Sequence, residues 1–157
     1  MIQIRKGTEQ DLSQTLQLIQ ELATYEKAPD EVAVTIEEMR NWGFGEVPVF
    51  GFFVAEENEK ILGIALYYFK YSTWKGKCLF LEDIIVTESR RKEGIGKKLF
   101  EEIIKLGAKE KVRRLEWQVL DWNEPAIQFY KKFNSYFDSE WVNCKLTDEE
   151  LQAYFQD

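Results

Sequence analysis

Between residues 91 and 97 the chain reads Arg91-Lys92-Glu93-Gly94-Ile95-Gly96-Lys97, with an apolar run before it and a helical pattern after it. Two glycines let the backbone turn tightly and let a ligand approach it closely. The first amides of the following helix lack intrahelical partners and, with the helix dipole, favour an anion. Arg91, Lys92, Lys97 and Lys98 add positive charge in a chain of net charge −7. A Walker A loop needs GxxxxGK[ST] and a dinucleotide fingerprint needs three glycines, and neither spacing is present. A plain strand-to-helix turn fits the same residues. Upstream, Glu82 and Asp83 interrupt the apolar stretch from Cys78 to Thr87. Downstream, Asn123 and Pro125 open a segment that carries Tyr130.

The chain has no histidine, which removes Ser-His-Asp and Cys-His catalysis and every His-ligated metal site. Acid–base work falls to Glu, Asp, Tyr, Lys or Cys. The two cysteines, Cys78 and Cys144, lie far apart and form no CxxC pair. No metal site is expected, and reduced thiols in the cytoplasm are the default reading. The first residues include Arg5, Lys6, Glu9 and Asp11 and no apolar core, so no secretion signal is expected. The acidic balance argues against nucleic acid or an anionic membrane as partner and suits a cationic ligand, though it also serves plain solubility.

The elements that must position these residues follow from periodicity. Ile2 to Lys6 alternates as a strand; Thr8 and Asp11 start a helix with Leu12, Leu16, Ile19 and Ala23 on one face. Thr35 to Glu38 opens a short second helix, and Gly43 to Pro48 is a loop. Val49–Glu56 and Ile61–Lys70 form an antiparallel hairpin about Glu57-Asn58-Glu59. A loop over Tyr71–Lys77 leads to the strand Cys78–Thr87, and Gly94–Glu110 is a helix with Ile95, Leu99, Ile103 and Leu106 aligned. Arg114–Leu120 is a strand. Asn123 caps a helix to about Phe133, Trp141–Lys145 is a short strand, and Thr147 starts a last helix. The order βααβββαβαβ plus a helix, without linker or repeat, predicts one α/β domain over residues 1–157, a mixed central sheet flanked by helices.

The loop string resembles the R-x-x-G-x-G/A signature of the GNAT acetyltransferases, and Asn123 to Tyr130 resembles that family's Asn-x-x-x-x-x-x-Tyr segment at the expected separation. The resemblance implies the GNAT fold and acetyl-CoA as acetyl donor. The pyrophosphate would lie on Arg91, Lys92, Glu93, Gly94, Ile95, Gly96 and Lys97, with pantetheine along Ile84, Ile85 and Val86. Asn123, Glu124, Pro125 and Ala126 would add cofactor contacts. Tyr130 would be the general acid to the leaving sulfur, although spacing alone fits a core tyrosine equally. Glu82 would bind the amine and accept its proton; an edge carboxylate paired with a lysine is the other reading. By period two, Phe80, Ile84 and Val86 are expected on the face of Glu82.

A narrower likeness runs nearly end to end. Glu21-Leu22-Ala23-Thr24-Tyr25-Glu26, Gly43-Phe44-Gly45-Glu46, Tyr67-Tyr68-Phe69, Leu81-Glu82-Asp83 and Trp122-Asn123-Glu124-Pro125 resemble the diamine acetyltransferases. That group includes spermidine/spermine acetyltransferase and thialysine-acetylating relatives. It implies Tyr25, Glu26, Trp74, Glu82 and Asp83 as amine-site candidates, with Trp74 equally a surface or dimer aromatic. Tyr71-Ser72-Thr73-Trp74-Lys75-Gly76 lacks the acidic residue of polyamine-acetylating members and is closer to the thialysine type. The expected substrate is therefore thialysine, a lysine-like amine or a short diamine, with a polyamine as the alternative. A protein-lysine acetyltransferase and a non-catalytic acetyl-CoA-binding module are the weaker readings. A homodimer joined through Trp141 and Val142 to Leu146 is implied by the resemblance.

Overall fold

The computed structural model describes residues 1–155 and divides into two compact units, Met1–Leu120 and the segment from Asp121 onward. The first unit carries a five-stranded sheet in the order β1-β2-β3-β4-β5. Its strands are β1 (Gln3–Lys6), β2 (Gly51–Glu57), β3 (Lys60–Ser72), β4 (Gly76–Val86) and β5 (Leu115–Trp117). The first four pair antiparallel and β5 joins β4 in parallel, which makes the mixed sheet expected from the sequence. Helices α1 (Leu12–Tyr25), α2 (Ile36–Phe44) and α3 (Ile95–Lys109) flank it.

Local chemistry sets several boundaries. Thr35 and Glu38 close a reciprocal capping box at the start of α2. That helix runs through Gly43 to Phe44, two residues into the expected loop. Asn58 and Glu59 both take positive φ, 51° and 63°, the conformation a two-residue hairpin turn requires. On one face of the sheet, Leu12 and Leu18 of α1 and Met39 of α2 pack with Phe52, Val54, Ile64 and Ile85. The other face receives α3: a Cβ on Gly63 would meet Leu99, and one on Gly107 would meet Leu79.

The ladder between β3 and β4 slips once. Leu66 pairs with Asp83 and Tyr67 with Leu81, so Glu82 has no partner and forms a β-bulge. The bulge overturns the expected period-two face. Asp83, opposite Leu66, shares the α1-side face with Phe80, opposite Tyr68, whereas Ile84 and Val86 pair with Ala65 and Gly63 on the α3 side.

The second unit holds α4 (Glu124–Lys131) and α5 (Asp148–Ala153), the latter opened by a Thr147–Glu150 capping box. The expected strand at Trp141–Lys145 is absent: residues 141–147 are irregular, and Trp141 and Val142 are exposed. A strand needs an edge to pair with, and this unit contains none among its described residues.

Candidate active site

Strand β4 carries the first part of the site. Its parallel pairing with β5 ends at Leu81–Trp117, and β4 continues alone on that side through the bulge to Val86. The Ile84–Val86 edge thus projects past β5 within the first unit, as an extended ligand segment would require. The Val86 carbonyl accepts a hydrogen bond from Arg91 Nε at 3.1 Å.

The loop after β4 is shaped by left-handed backbone at Lys92 (φ 69°) and Gly94 (φ 79°). Gly94 is the N-cap of α3 and offers no side-chain cap to the first helical amides. A Cβ built on Gly94 would meet no atom within 4 Å, so open space lies against the loop backbone. An uncapped helix start, an open cradle and exposed Arg91, Lys92 and Lys97 fit a pyrophosphate group. Glu93 differs from its neighbours: its carboxylate is engaged by Arg90, which also reaches Glu57 at 2.8 Å. Only the Glu93 backbone remains for a ligand. Arg90 braces the loop against the β2–β3 turn, a role that its charge alone did not distinguish from that of Arg91.

The carboxylates form a second cluster. Glu82 is exposed on the bulge, Asp83 is partly buried beside it, and Glu26 caps the end of α1. Burial, then the nearby Glu82 and Glu26 charges, push the Asp83 carboxyl up to about 6. Burial also raises Glu26. Tyr68 completes the cluster. Its ring stacks on Phe80 with centroids 5.1 Å apart, and its hydroxyl faces the Glu82 carboxylate. Burial and Glu82 both raise the Tyr68 phenol. The sequence offered Tyr68 only as one of three consecutive aromatics; its role depends on a cross-strand register that the bulge defines.

Tyr25 lies against Arg91, whose guanidinium stands 5.1 Å from the ring centroid. It therefore joins the loop rather than the carboxylates alone. Trp74 is not brought to either group. It sits at the tip of the β3–β4 hairpin, 79% exposed, where Ser72 Oγ accepts from the amides of Trp74 and Lys75 and Gly76 takes φ 93°. At about 3.4 Å per residue the tip is roughly 20 Å along β4 from Glu82.

In the second unit, Asn123 is buried and its side-chain oxygen accepts from the Ala126 amide at 3.4 Å. Pro125 occupies the first turn of α4, where no donor is needed. Glu124 turns outward and accepts from Gln128 at 2.6 Å. Tyr130 is buried, edge-on to Phe129 at 5.3 Å, and its carbonyl accepts from Ser135 Oγ.

Residues 13–135 match the acetyltransferase (GNAT) family. A thialysine N-epsilon-acetyltransferase of Bos taurus is 40% identical over 138 residues, 83% of this chain and 81% of its own length. Its Mus musculus counterpart is 36% identical over 160 residues, 95% of this chain and 94% of its own length. An integron cassette protein from the mobile metagenome of V. cholerae shares the fold, with a TM-score of 0.80 at 22% identity over 99% of this chain and 98% of its own.

Proposed function

The chain belongs to the GNAT acetyltransferases, enzymes that move an acetyl group from acetyl-CoA to an amine, and we propose that its acceptor is thialysine, a lysine-like amine or a short diamine. The carrying observation is the cluster of Glu26, Glu82 and Asp83, whose mutual repulsion a single ammonium would relieve. The family match crosses from one unit into the other, which supports reading residues 1–157 as a single acetyltransferase domain.

Acetyl-CoA, when bound, supplies the acetyl group as a thioester. The chain's own task is proton traffic and orientation. An amine with pKa ~10.4 is almost wholly protonated at pH 7, a penalty of roughly 4.6 kcal/mol before it can attack. Glu82, oriented by Tyr68, takes that proton directly or through one water, and Asp83 and Glu26 hold the cation nearby. Tyr130 would supply a phenol proton to the sulfur that leaves the thioester. Arg91 to Lys97, the Ile84–Val86 edge and the Asn123–Ala126 cap are assigned to the cofactor. Asn123 already fixes the start of α4 through Ala126.

Acetyl-CoA turnover followed by thiol release, across a panel of amines, tests the acceptor. Thialysine, lysine or a short diamine is expected to give a higher kcat/KM than spermine. Long polyamines need carboxylates spaced along a groove, and Ser72 and Lys75 supply none. A ranking that puts spermine or spermidine first by more than about tenfold, or ~1.4 kcal/mol, would overturn this preference.

A homodimer is part of the same reading. The exposed Trp74 tip and the irregular Trp141–Leu146 segment, with Trp141, Val142 and Leu146 exposed, are then surfaces for a second copy, which supports a role for Trp74 away from its own chain's carboxylates. Light scattering at micromolar concentration is expected to report twice the chain mass; a monomer would remove the dimer from the proposal. The enzyme is placed in the cytoplasm, where exposed Cys144 stays reduced. Among the described residues no helix is long and apolar enough to cross a membrane.

A further inference from the structure

One charged side chain outside the assigned sites ties α1 to the cofactor loop. The Glu21 carboxylate accepts from Thr87 Oγ1 at 3.1 Å and from the Glu88 amide at 2.8 Å, across 66 and 67 residues of sequence. Thr87 is the N-cap of the short 3₁₀ turn Glu88–Arg90 but makes no side-chain cap bond of its own. Glu21 therefore does the capping from another element. The turn leads directly into Arg91 and the phosphate loop.

The same carboxylate faces Arg91 Nη2 at 4.0 Å. Arg91 is also held by the Val86 carbonyl and the Tyr25 ring, and Glu21, Tyr25, Glu88 and Arg91 line one groove of 460 Å³. An ion pair this long and this exposed holds weakly. A phosphate presented to the guanidinium forms a shorter, charge-assisted and bidentate contact. Arg91 is thus positioned to exchange Glu21 for an anion without losing its tie to Val86.

We infer that Glu21 is a positioning residue for acetyl-CoA: it fixes the lead-in to the phosphate loop and holds Arg91 beside it until phosphate takes over the guanidinium. The inference rests on the loop being the pyrophosphate site. Glu21 touches neither substrate nor the reacting atoms, so its effect belongs to cofactor binding and not to the chemical step.

Four variants separate these statements by calorimetry with acetyl-CoA and by steady-state kinetics. Glu21→Ala frees the turn and is expected to weaken acetyl-CoA binding about tenfold, with kcat at saturation and the amine KM within twofold of the parent. Glu21→Gln keeps an oxygen for the Glu88 amide and an N–H for the Thr87 hydroxyl while removing the charge that competes for Arg91. It is expected to bind acetyl-CoA as tightly as the parent or more tightly. Thr87→Val, which removes one of the two bonds, is expected to weaken binding about threefold and serves if Glu21→Ala does not fold. Equal behaviour of Ala and Gln at position 21, or Glu21→Ala and Thr87→Val both at parental affinity, would overturn the inference. Gly94→Val tests the underlying reading, because a β-branched residue at φ 79° displaces the cradle. If Gly94→Val folds and keeps full affinity, the loop assignment itself fails; if it loses affinity while Glu21→Ala does not, only the role of Glu21 falls.

Discussion

Replacing Tyr130 by Phe is expected to lower kcat by roughly 10²-fold or more, the usual cost of losing a general acid, with little change in acetyl-CoA affinity. The substitution removes one oxygen from a buried ring packed edge-on to Phe129, so the apolar contact is retained. Helix α4 keeps its Asn123 cap and its Ser135 bond to the Tyr130 carbonyl, neither of which uses the phenol. A phenol near pKa ~10 protonates a sulfur whose conjugate acid lies near ~8.5 only where that sulfur is poorly solvated. The loss is therefore expected in turnover and not in binding. Parental turnover in Tyr130→Phe across pH 7–9 would assign the proton to water or to another side chain.

Asp83→Asn is expected to make the protein more stable and less active at pH 7. The Asp83 carboxyl is pushed from 3.8 to about 6, by burial first and by Glu82 and Glu26 next. In the unfolded chain it ionises near its ordinary value. Below pH 3.8 both states are protonated and the group costs nothing. As pH rises through 6 the native state must ionise a partly buried carboxyl among like charges. Above that point the native state carries the whole penalty, about 2.2 pH units or at most ~3 kcal/mol. Thermal melts at pH 7 are expected to show Asn above Asp by about 2–4 °C for each kcal/mol recovered, with the two converging near pH 4. The amine KM is expected to rise in the same variant. A parental melting temperature at pH 7 would show that Asp83 carries no strain.

Asp11 has the opposite sign. Arg5 first, then the Thr8 amide and hydroxyl, hold its carboxyl down to about 2. Its stabilisation is present above pH 3.8 and is lost as pH falls through 2. The contrast separates a carboxylate that braces the fold from one that the fold strains to keep. The bracing carboxylate sits at the start of α1 and the strained one beside the end of the same helix.

What the sequence made legible was local. The Thr35 capping box, the Asn123 cap with Pro125 behind it, and the glycine at the start of α3 each depend on residues within four positions of one another. The mixed sheet followed from the order of those elements. Four features were not legible because they depend on pairing across distance. The bulge at Glu82 exists only against the β3 register, and it moved Ile84 and Val86 to the opposite face from Phe80. Trp74 stands near Glu82 in sequence, but an unbroken strand carries it away. The segment Trp141–Lys145 reads as a strand but finds no edge among the described residues of its own unit. Glu21 was visible only as part of a helix end that resembled a family, since its partners lie just past the end of β4, 66 and 67 residues away in sequence.

The bulge also changes what mutation can do at this strand. Glu82 is surplus to the ladder: Leu81 and Asp83 already pair with adjacent residues, Tyr67 and Leu66. The sheet would close without it, and no core side chain would change faces. If Glu82 takes the amine proton as proposed, folding and proton transfer draw on separate residues of one strand. A lineage could vary or delete the reactive carboxylate while leaving every packed neighbour in register. Loss of activity at this position would then leave an intact scaffold, free to keep its cofactor loop and acquire a different acceptor.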